Sequence, residues 1–446
     1  MVGDASKDFG LFADKKSPES KIRRELVRIR KSPSFRIGKH MVNSFERPWR
    51  LPFLPITLPL VIFNLGLEKL GKKSQPVSDQ PLLGEGRNRR CIVMFPTNGV
   101  GFGHFTRLLA VARKIKKIDK GVEIVFFTTM PTLHLLKREG IPAYHLPGRK
   151  YFDNMDASTW NSITEEMIAN VFAIHQPSMF VFDGAFPYRG MLNAIQNCGD
   201  MNKVWLRRGT FKKGSKIPVD SMNHFDNIIR PRDSIEDDFE DKIEDLKPEI
   251  VKCDPILLLD EQELRPRNDL RDRLGIPHDA ILVYLQLGAG QINDIESDIN
   301  ICLDELKKHE NVFVVIGESM IGDRLPSIGG NVRILTDYPN SMDFNSFDFT
   351  IMAAGYNSYH EAVRFSIPTL CIPNLKTGMD DQLARAEVAE KAGAMIVLRK
   401  VTPSKVQVVI ERLLDSDVRK SMTKRAEELH RPNGANQLAK WIISEI

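Results

Sequence analysis

Short apolar runs rich in β-branched residues alternate with helix-patterned segments twice along this chain, and that alternation restricts its fold more than any other feature. The first series opens with "CIVMFP", Cys91 to Pro96, followed by a Gly-rich loop and then "HFTRLLAVARKIKKI", whose apolar positions recur at helical spacing. "VEIVFFTT", "IPAYHLP", "SMFVFDG" and "KVWLRRG" read as further strands, with "PTLHLLKREG" as a helix stopped by glycine. The second series starts at "AILVYLQLG" and passes through "NVFVVIG", "VRILTDY", "FDFTIMAAG", "IPTLCIP" and "AMIVLR" to final helices ending at Ile446. Strands alternating with helices build parallel βα units. The chain is therefore expected to be α/β, with two doubly wound domains and a cleft between them.

The pattern fades between about residues 230 and 275, and residues 73–90, "KSQPVSDQPLLGEGRNRR", read as a linker. The expected division is an extension over 1–75, a first domain over 90–255, a connection over 256–279 and a second domain over 280–446. A length of 446 residues suits two such domains.

Charge separates the extension from the rest. The net charge is +5, yet Lys21 to Arg50 alone holds ten Lys and Arg against two Glu, which leaves the remainder slightly acidic. Within that basic region "SKIRRELVRIRK" places Ile22, Leu26 and Ile29 on one helical face. The apolar stretch Leu51 to Leu67 follows. It is short for a membrane span, and Pro52, Pro55 and Pro59 are expected to break its first half. Two readings stay open for residues 20–70: docking on an anionic membrane surface, or packing on the protein with a solvated basic face.

Several classes are set aside. The five cysteines are scattered, with no Cys-x-x-Cys pair, so neither a zinc site nor a disulfide framework is expected. Met1 opens no secretory signal. The basic region lacks interleaved aromatics, so no nucleic-acid partner is expected.

In open α/β sheets ligands bind beyond the carboxyl ends of the strands, so the loops there carry the chemistry. The first, "TNGVGFGHFTR", has Gly99, Gly101 and Gly103 for close backbone approach, then His104 and Arg107. Its spacing is neither a dinucleotide fingerprint nor a P-loop. His104 opens a helix, whose positive end disfavours imidazolium and so suits a general base. The second, "LGAGQIND", brings Gly288, Gly290 and Gln291 to a helix start that can receive an anion. The third, "AAGYNSYHEAVRFSIPTLCIPNLKTGMDDQLARA", offers Gly355, Asn357 and Ser358 for phosphate and Glu361 for a vicinal diol. It ends in Asp381 and Gln382. Each also has a plainer reading. Glu361 stands three residues after Ser358, the spacing of a capping box, and Asp381 can simply start a helix.

These residues carry a resemblance. The segment 353–395 is similar to the nucleotide-sugar domain of glycosyltransferase family 28, which is related to the UDP-glycosyltransferases. The pattern there is Gly-Gly-x-x-Thr-x-x-Glu-Ala, Gly-x-Pro, a second Pro, and Asp-Gln-x-x-Asn-Ala. Here it reads Ala354, Gly355, Ser358, Glu361 and Ala362, then Ser366 and Pro368, Pro373, and Asp381, Gln382, Arg385 and Ala386. The Glu, both prolines and the Asp-Gln pair are kept, while an Arg stands at the Asn position. Gly101, Gly103 and His104 resemble the Gly-Gly-His loop of the same family.

The resemblance implies a GT-B fold of two Rossmann-like domains, with the donor on the second and the acceptor on the first. It implies a nucleotide sugar, expected to be UDP-linked, no separate cofactor and no metal. Glu361 would hold the ribose. Gly355, Asn357, Ser358 and the Gly288–Gln291 loop would hold the diphosphate, and Asp381 and Gln382 the donor sugar. The loop after "VRILTDY" would face the base, and His104 would deprotonate the acceptor hydroxyl. Many retaining enzymes of this fold carry a Glu eight positions before the ribose Glu; Ala353 stands there, which favours inversion. A glycan or lipid-linked glycan acceptor follows, at the inner face of a membrane. Two alternatives remain: a nucleotide-sugar hydrolase or epimerase on the same fold, and a binding subunit without catalysis.

Overall fold

The computed structural model describes residues 29, 32–70, 90–97, 102–196, 198, 201–208, 211–212, 215, 218–235, 246–288, 295–317 and 329–446. The chain divides into two units, Met1–Arg87 and Asn88–Ile446.

The first unit is described over a helical hairpin. Helix Pro33–Glu46 is capped by Ser32, whose hydroxyl oxygen accepts from the Phe35 amide at 3.2 Å. A 3-10 turn, Pro48–Phe53, leads into helix Leu54–Lys69. The expected break does not occur, and Pro48–Lys69 forms one helical run. Pro55 falls in the first turn of its helix, where an amide has no intrahelical partner to lose. Pro52 lies inside the 3-10 turn and Pro59 inside the α-helix. This run is long and apolar enough to cross a membrane by length and composition. Of the expected basic face, Ile22 and Leu26 lie outside the described residues.

In the second unit the two βα series fold as two separate parallel sheets. Strands β1 (Cys91–Pro96), β2 (Glu123–Thr128), β3 (Ala143–His145), β4 (Met179–Asp183), β5 (Asn202–Leu206), β6 (Asn227–Pro231) and β7 (Glu249–Cys253) make the first, in the order β3-β2-β1-β4-β5-β6-β7. Strands β8 (Ile281–Gln286), β9 (Val312–Gly317), β10 (Val332–Leu335), β11 (Phe349–Met352), β12 (Thr369–Cys371) and β13 (Met395–Val397) make the second, ordered β10-β9-β8-β11-β12-β13. β1 is buried at every position, as a continuous apolar strand covered on both faces must be. Leu108 and Val111 of helix Gly103–Ile118 cover one face of the first sheet, and Ile168 and Phe172 of helix Ala157–His175 cover the other.

The structure departs from the sequence reading in two places. β6 and β7 fall where the pattern fades: "NIIRP" is brief, and "EIVKC" alternates charged and apolar residues at a sheet edge. The last helix, Gly434–Ser444, returns to the first domain. Its Leu438 and Ile442 join that core, together with Ile256 and Leu258 from the expected connection. Gly434 permits the return, because a Cβ there would lie 1.9 Å from the Asp254 carbonyl oxygen.

In each all-parallel sheet the order in which the chain lays down its strands reverses at one point, between β1 and β4 and between β8 and β11. The loops after these four strands open into the crevices where ligands bind in such folds.

Candidate active site

His104 is the second residue of helix Gly103–Ile118, directly after the β1 loop. Asp183 is the last residue of β4, the strand paired with β1. The sheet order thus brings together two residues far apart in sequence. His104 Nδ1 lies 2.6 Å from Asp183 Oδ1. Nδ1 also lies 2.9 Å from Arg107 Nη2, but that nitrogen already donates to Asp183, so the tautomer in which Nδ1 donates to the acceptor-only carboxylate leaves Nε2 with its lone pair. Gly184 follows the acid where a Cβ would lie 2.5 Å from Thr97 Oγ1, so the turn there takes no side chain.

Arg107, one turn along the same helix, completes the group. Its Nε donates to Asp183 Oδ2 at 3.0 Å and its Nη2 to Oδ1 at 2.7 Å. Burial works to raise the Asp183 carboxyl, but Arg107 and His104 outweigh it and hold the group below its ordinary range. Burial pushes His104 below the ordinary histidine range, against the pull of Asp183, and the cations Arg107 and Arg208 add to the lowering. At neutral pH the pair is therefore a neutral imidazole on an ionised carboxylate.

Arg107 also faces the second domain, where its Nη1 lies 3.4 Å from Asn357 Oδ1. Asn357 belongs to the first turn of helix Tyr356–Arg364, which starts after Gly355. A Cβ on Gly355 would meet nothing within 4 Å, so the space before this helix N-terminus is open. Ser358 is in the same turn. The guanidinium groups of Arg107, Arg208 and Arg385 lie 5.4, 5.4 and 5.7 Å from the Tyr356 ring centroid. A helix N-terminus beside three guanidinium groups favours an anion. Gly288, after β8, has φ +106, a conformation that favours glycine. Gly101, Gly290 and Gln291 lie outside the described residues.

Glu361 is one turn further along helix Tyr356–Arg364. Its carboxylate does not close a capping box, since Gly355 is the N-cap and Glu361 Oε1 instead accepts from Ser341 Oγ at 3.0 Å. Ser341 lies in the 3-10 turn Asn340–Ser346 that follows β10. Burial raises the carboxyl to about 7, against the opposing bond from Ser341. An acid that gives up its best solvation is poised for a ligand that supplies hydroxyl donors.

Asp381 and Gln382 are used locally. Asp381 caps helix Gln382–Lys391 by accepting from the Ala384 amide at 3.0 Å, and Gln382 Oε1 accepts from the Asn374 amide at 3.0 Å. The neighbouring Asp380, which the sequence reading passed over, pairs with Arg385 at 2.7 Å and Arg208 at 3.3 Å. Arg385 is fully buried and reaches Asp233 of the first domain at 2.7 Å. The sequence reading also missed Asp183, Asp233 and Arg208. Asp183 had one available signal, an acid closing an apolar strand.

Asp415, in the one Asp-x-Asp pair, caps helix Ser416–Glu427 by accepting from the Asp417 amide at 2.8 Å. Among the described residues, Cys91, Glu123 and His175 cluster with a spacing suited to a metal. They sit at the opposite ends of the strands from the cleft. Both His175 nitrogens are engaged there, Nδ1 with Glu123 at 2.7 Å and Nε2 with Tyr144 Oη at 2.9 Å.

No family model matches the chain. It is 23% identical over 350 residues to the UDP-N-acetylglucosamine–N-acetylmuramyl-(pentapeptide) pyrophosphoryl-undecaprenol N-acetylglucosamine transferase of Clostridium kluyveri, covering 73% of this chain and 91% of that protein. The enzyme of the same description from Thermoanaerobacter sp. is 23% identical over 380 residues, covering 79% and 99%. Among solved structures, MurG of Acinetobacter baumannii superposes with a TM-score of 0.52 at 15% identity, over 79% of this chain and 99% of that one. The calicheamicin glycosyltransferase CalG4 superposes at 0.55 with 16% identity, over 80% and 98%. Both likenesses extend over nearly the whole of the compared chains and over about four fifths of this one. The chain is a glycosyltransferase of the GT-B fold that resembles glycosyltransferase family 28.

Proposed function

We propose that this enzyme moves a sugar from a UDP-sugar to a hydroxyl of a glycan or lipid-linked glycan, with inversion and without a metal. The observation that carries the reading is the His104–Asp183 pair, which Arg107 connects to Asn357 in the first turn of helix Tyr356–Arg364, the helix that also carries Glu361. His104 Nε2 takes the proton of the acceptor hydroxyl while that oxygen attacks the anomeric carbon. The carbon–oxygen bond to the diphosphate breaks, and UDP leaves with the electron pair. Asp183 holds the tautomer and stabilises the imidazolium that forms. The helix N-terminus, with Gly355, Asn357, Ser358 and the loop of Gly288, Gly290 and Gln291, meets the growing charge on the diphosphate. Glu361 accepts from the ribose hydroxyls. Asp381 and Gln382 shape the loop beside the donor sugar, and Gly101, Gly103 and Arg107 line the acceptor side.

The UDP-N-acetylglucosamine donor and undecaprenol-linked acceptor named for the relatives support a UDP-linked donor and a lipid-linked acceptor. Such an acceptor places the reaction at the inner membrane face, where the extension over residues 20–70 would dock.

Release of free nucleoside diphosphate from UDP-, GDP-, dTDP- and CDP-sugars, with and without a membrane extract, tests the reading. Release from the UDP-sugar only with extract, lost in His104→Ala and Glu361→Ala, is the expected result. Equal release in buffer alone would make water the acceptor and the enzyme a hydrolase.

A further inference from the structure

The hairpin of the first unit is built inside out. Its polar groups face the helix-helix seam and its large apolar groups face outward. On helix Pro33–Glu46, Arg36, His40 and Ser44 recur every four residues and form one stripe. Arg36 pairs in bidentate fashion with Glu68, the second contact at 3.1 Å, and the Glu68 side chain is only 4% exposed. His40 Nε2 lies 2.9 Å from Thr57 Oγ1, and Ser44 is 3% exposed. On helix Leu54–Lys69, Thr57, Val61, Asn64 and Glu68 fall on one face at 3.6 residues per turn, the face turned to that stripe.

The outward faces carry Val42 and Phe45 on the first helix and Ile56, Leu60 and Phe63 on the second, all more than half exposed. A helix pair in water places these sets the other way round. Exposed apolar area of this extent marks an interaction surface.

The charges say what covers it. Lys69 stands at the open end of the hairpin, Arg47 and Arg50 at its turn and Lys39 half-way along the first helix, while Arg36 is neutralised by Glu68 in the seam. Cations at both ends of an apolar body suit anionic headgroups. They also fix the orientation. A hairpin crossing the bilayer would carry Arg47 and Arg50 to the far side, against the bias that keeps Lys and Arg on the cytoplasmic face. The first helix has 14 residues, about 21 Å at 1.5 Å per residue, short of a hydrocarbon core of about 30 Å.

We propose that the hairpin Pro33–Lys69 inserts into one leaflet of an anionic bilayer, lying along the membrane plane with its polar seam closed and both cationic ends at headgroup level. The proposal rests on the membrane reading above and sharpens it from surface docking to insertion.

Vesicle flotation of the full chain with phosphatidylglycerol–phosphatidylcholine vesicles separates the two. Insertion is expected to keep the protein with the vesicles after molar salt and alkaline carbonate. The triple variant Phe45→Glu, Ile56→Glu, Phe63→Glu is expected to weaken binding about ten-fold or more, since charged groups are costly below the headgroups. Binding that salt releases would leave docking standing and overturn insertion. No flotation at all, with the hairpin covered by a second copy or by residues 1–28, would overturn both. For orientation, Trp49→Cys in a Cys198→Ser background is expected to react with an impermeant maleimide outside sealed vesicles. Reaction only from the lumen would mean a spanning hairpin and overturn the in-plane placement.

Discussion

Arg385 and Asp233 form a buried ion pair that joins the two domains. Three contacts of 2.7 to 3.0 Å connect them, and their side chains are 0% and 2% exposed. Arg385 stands where family 28 has Asn, and its charge is met by an acid from the other domain. His360 donates to the same carboxylate at 3.2 Å, and Arg385 donates to the Ala354 carbonyl at 2.8 Å beside the proposed phosphate site. The departure from the family pattern is therefore matched by a compensating partner.

Removing one side of this pair leaves an uncompensated buried charge. Arg385→Ala is expected to cost about 3–5 kcal/mol of stability. Asp233→Asn should cost less, because the amide still fills the space and accepts from Arg385. Burial works to raise the Asp233 carboxyl, but Arg385 and His360 hold it well below the usual range. Its contribution is thus present above the unfolded value and lost only as pH falls through the depressed one. Urea denaturation of both variants, with the wild type at neutral and acidic pH, checks the size and the sign.

Asp183→Asn removes the charge that holds the His104 tautomer while keeping the shape. Turnover is expected to fall about 10²- to 10⁴-fold, with UDP affinity within about two-fold of wild type. Steady-state kinetics beside UDP titration would show the split. A loss of UDP binding in step with turnover would assign Asp183 to the fold rather than to the base.

Glu361 makes nucleotide binding depend on pH. Burial holds its carboxyl at about 7, above its unfolded value. The ionised form is the one that accepts from two ribose hydroxyls, so affinity for UDP should rise with pH through 7 and be about ten-fold weaker at pH 6 than at pH 8. The sign reverses for the unliganded protein. A raised carboxyl contributes stability that is present below the unfolded value and lost as pH rises through 7, so thermal stability should drift down over that interval. Glu361→Gln is expected to flatten both profiles. Calorimetric titration and thermal melts across pH 6 to 8 are the measurements.

Most of the strands were legible in the sequence because parallel strands buried on two faces are written as unbroken apolar runs. β6 and β7 were not, since charged residues interrupt them at or near a sheet edge. Glu361 was legible as a candidate from its place after a strand and glycine. Asp183 was not: its partner His104 is 79 residues away, and only the β1–β4 pairing brings them together. Asp233 and Arg385 are 152 residues apart on different domains, a distance that no local pattern spans. Asp380 was passed over for Asp381 because adjacent acids look alike until the helix start decides which one caps. The inside-out hairpin was half legible. Its apolar and basic character stood in the sequence, but which face held the polar stripe depended on a helix that three prolines were expected to break.

Single-turnover transfer from UDP-sugar to the membrane acceptor, compared between wild type and His104→Ala at saturating donor, bears most directly on the proposed reaction. A base at His104 predicts a rate at least about 10²-fold lower in the variant, with UDP bound equally well and the wild-type rate falling as pH drops through a depressed histidine value. Equal rates in the two proteins, or a pH profile shared by both, would contradict it.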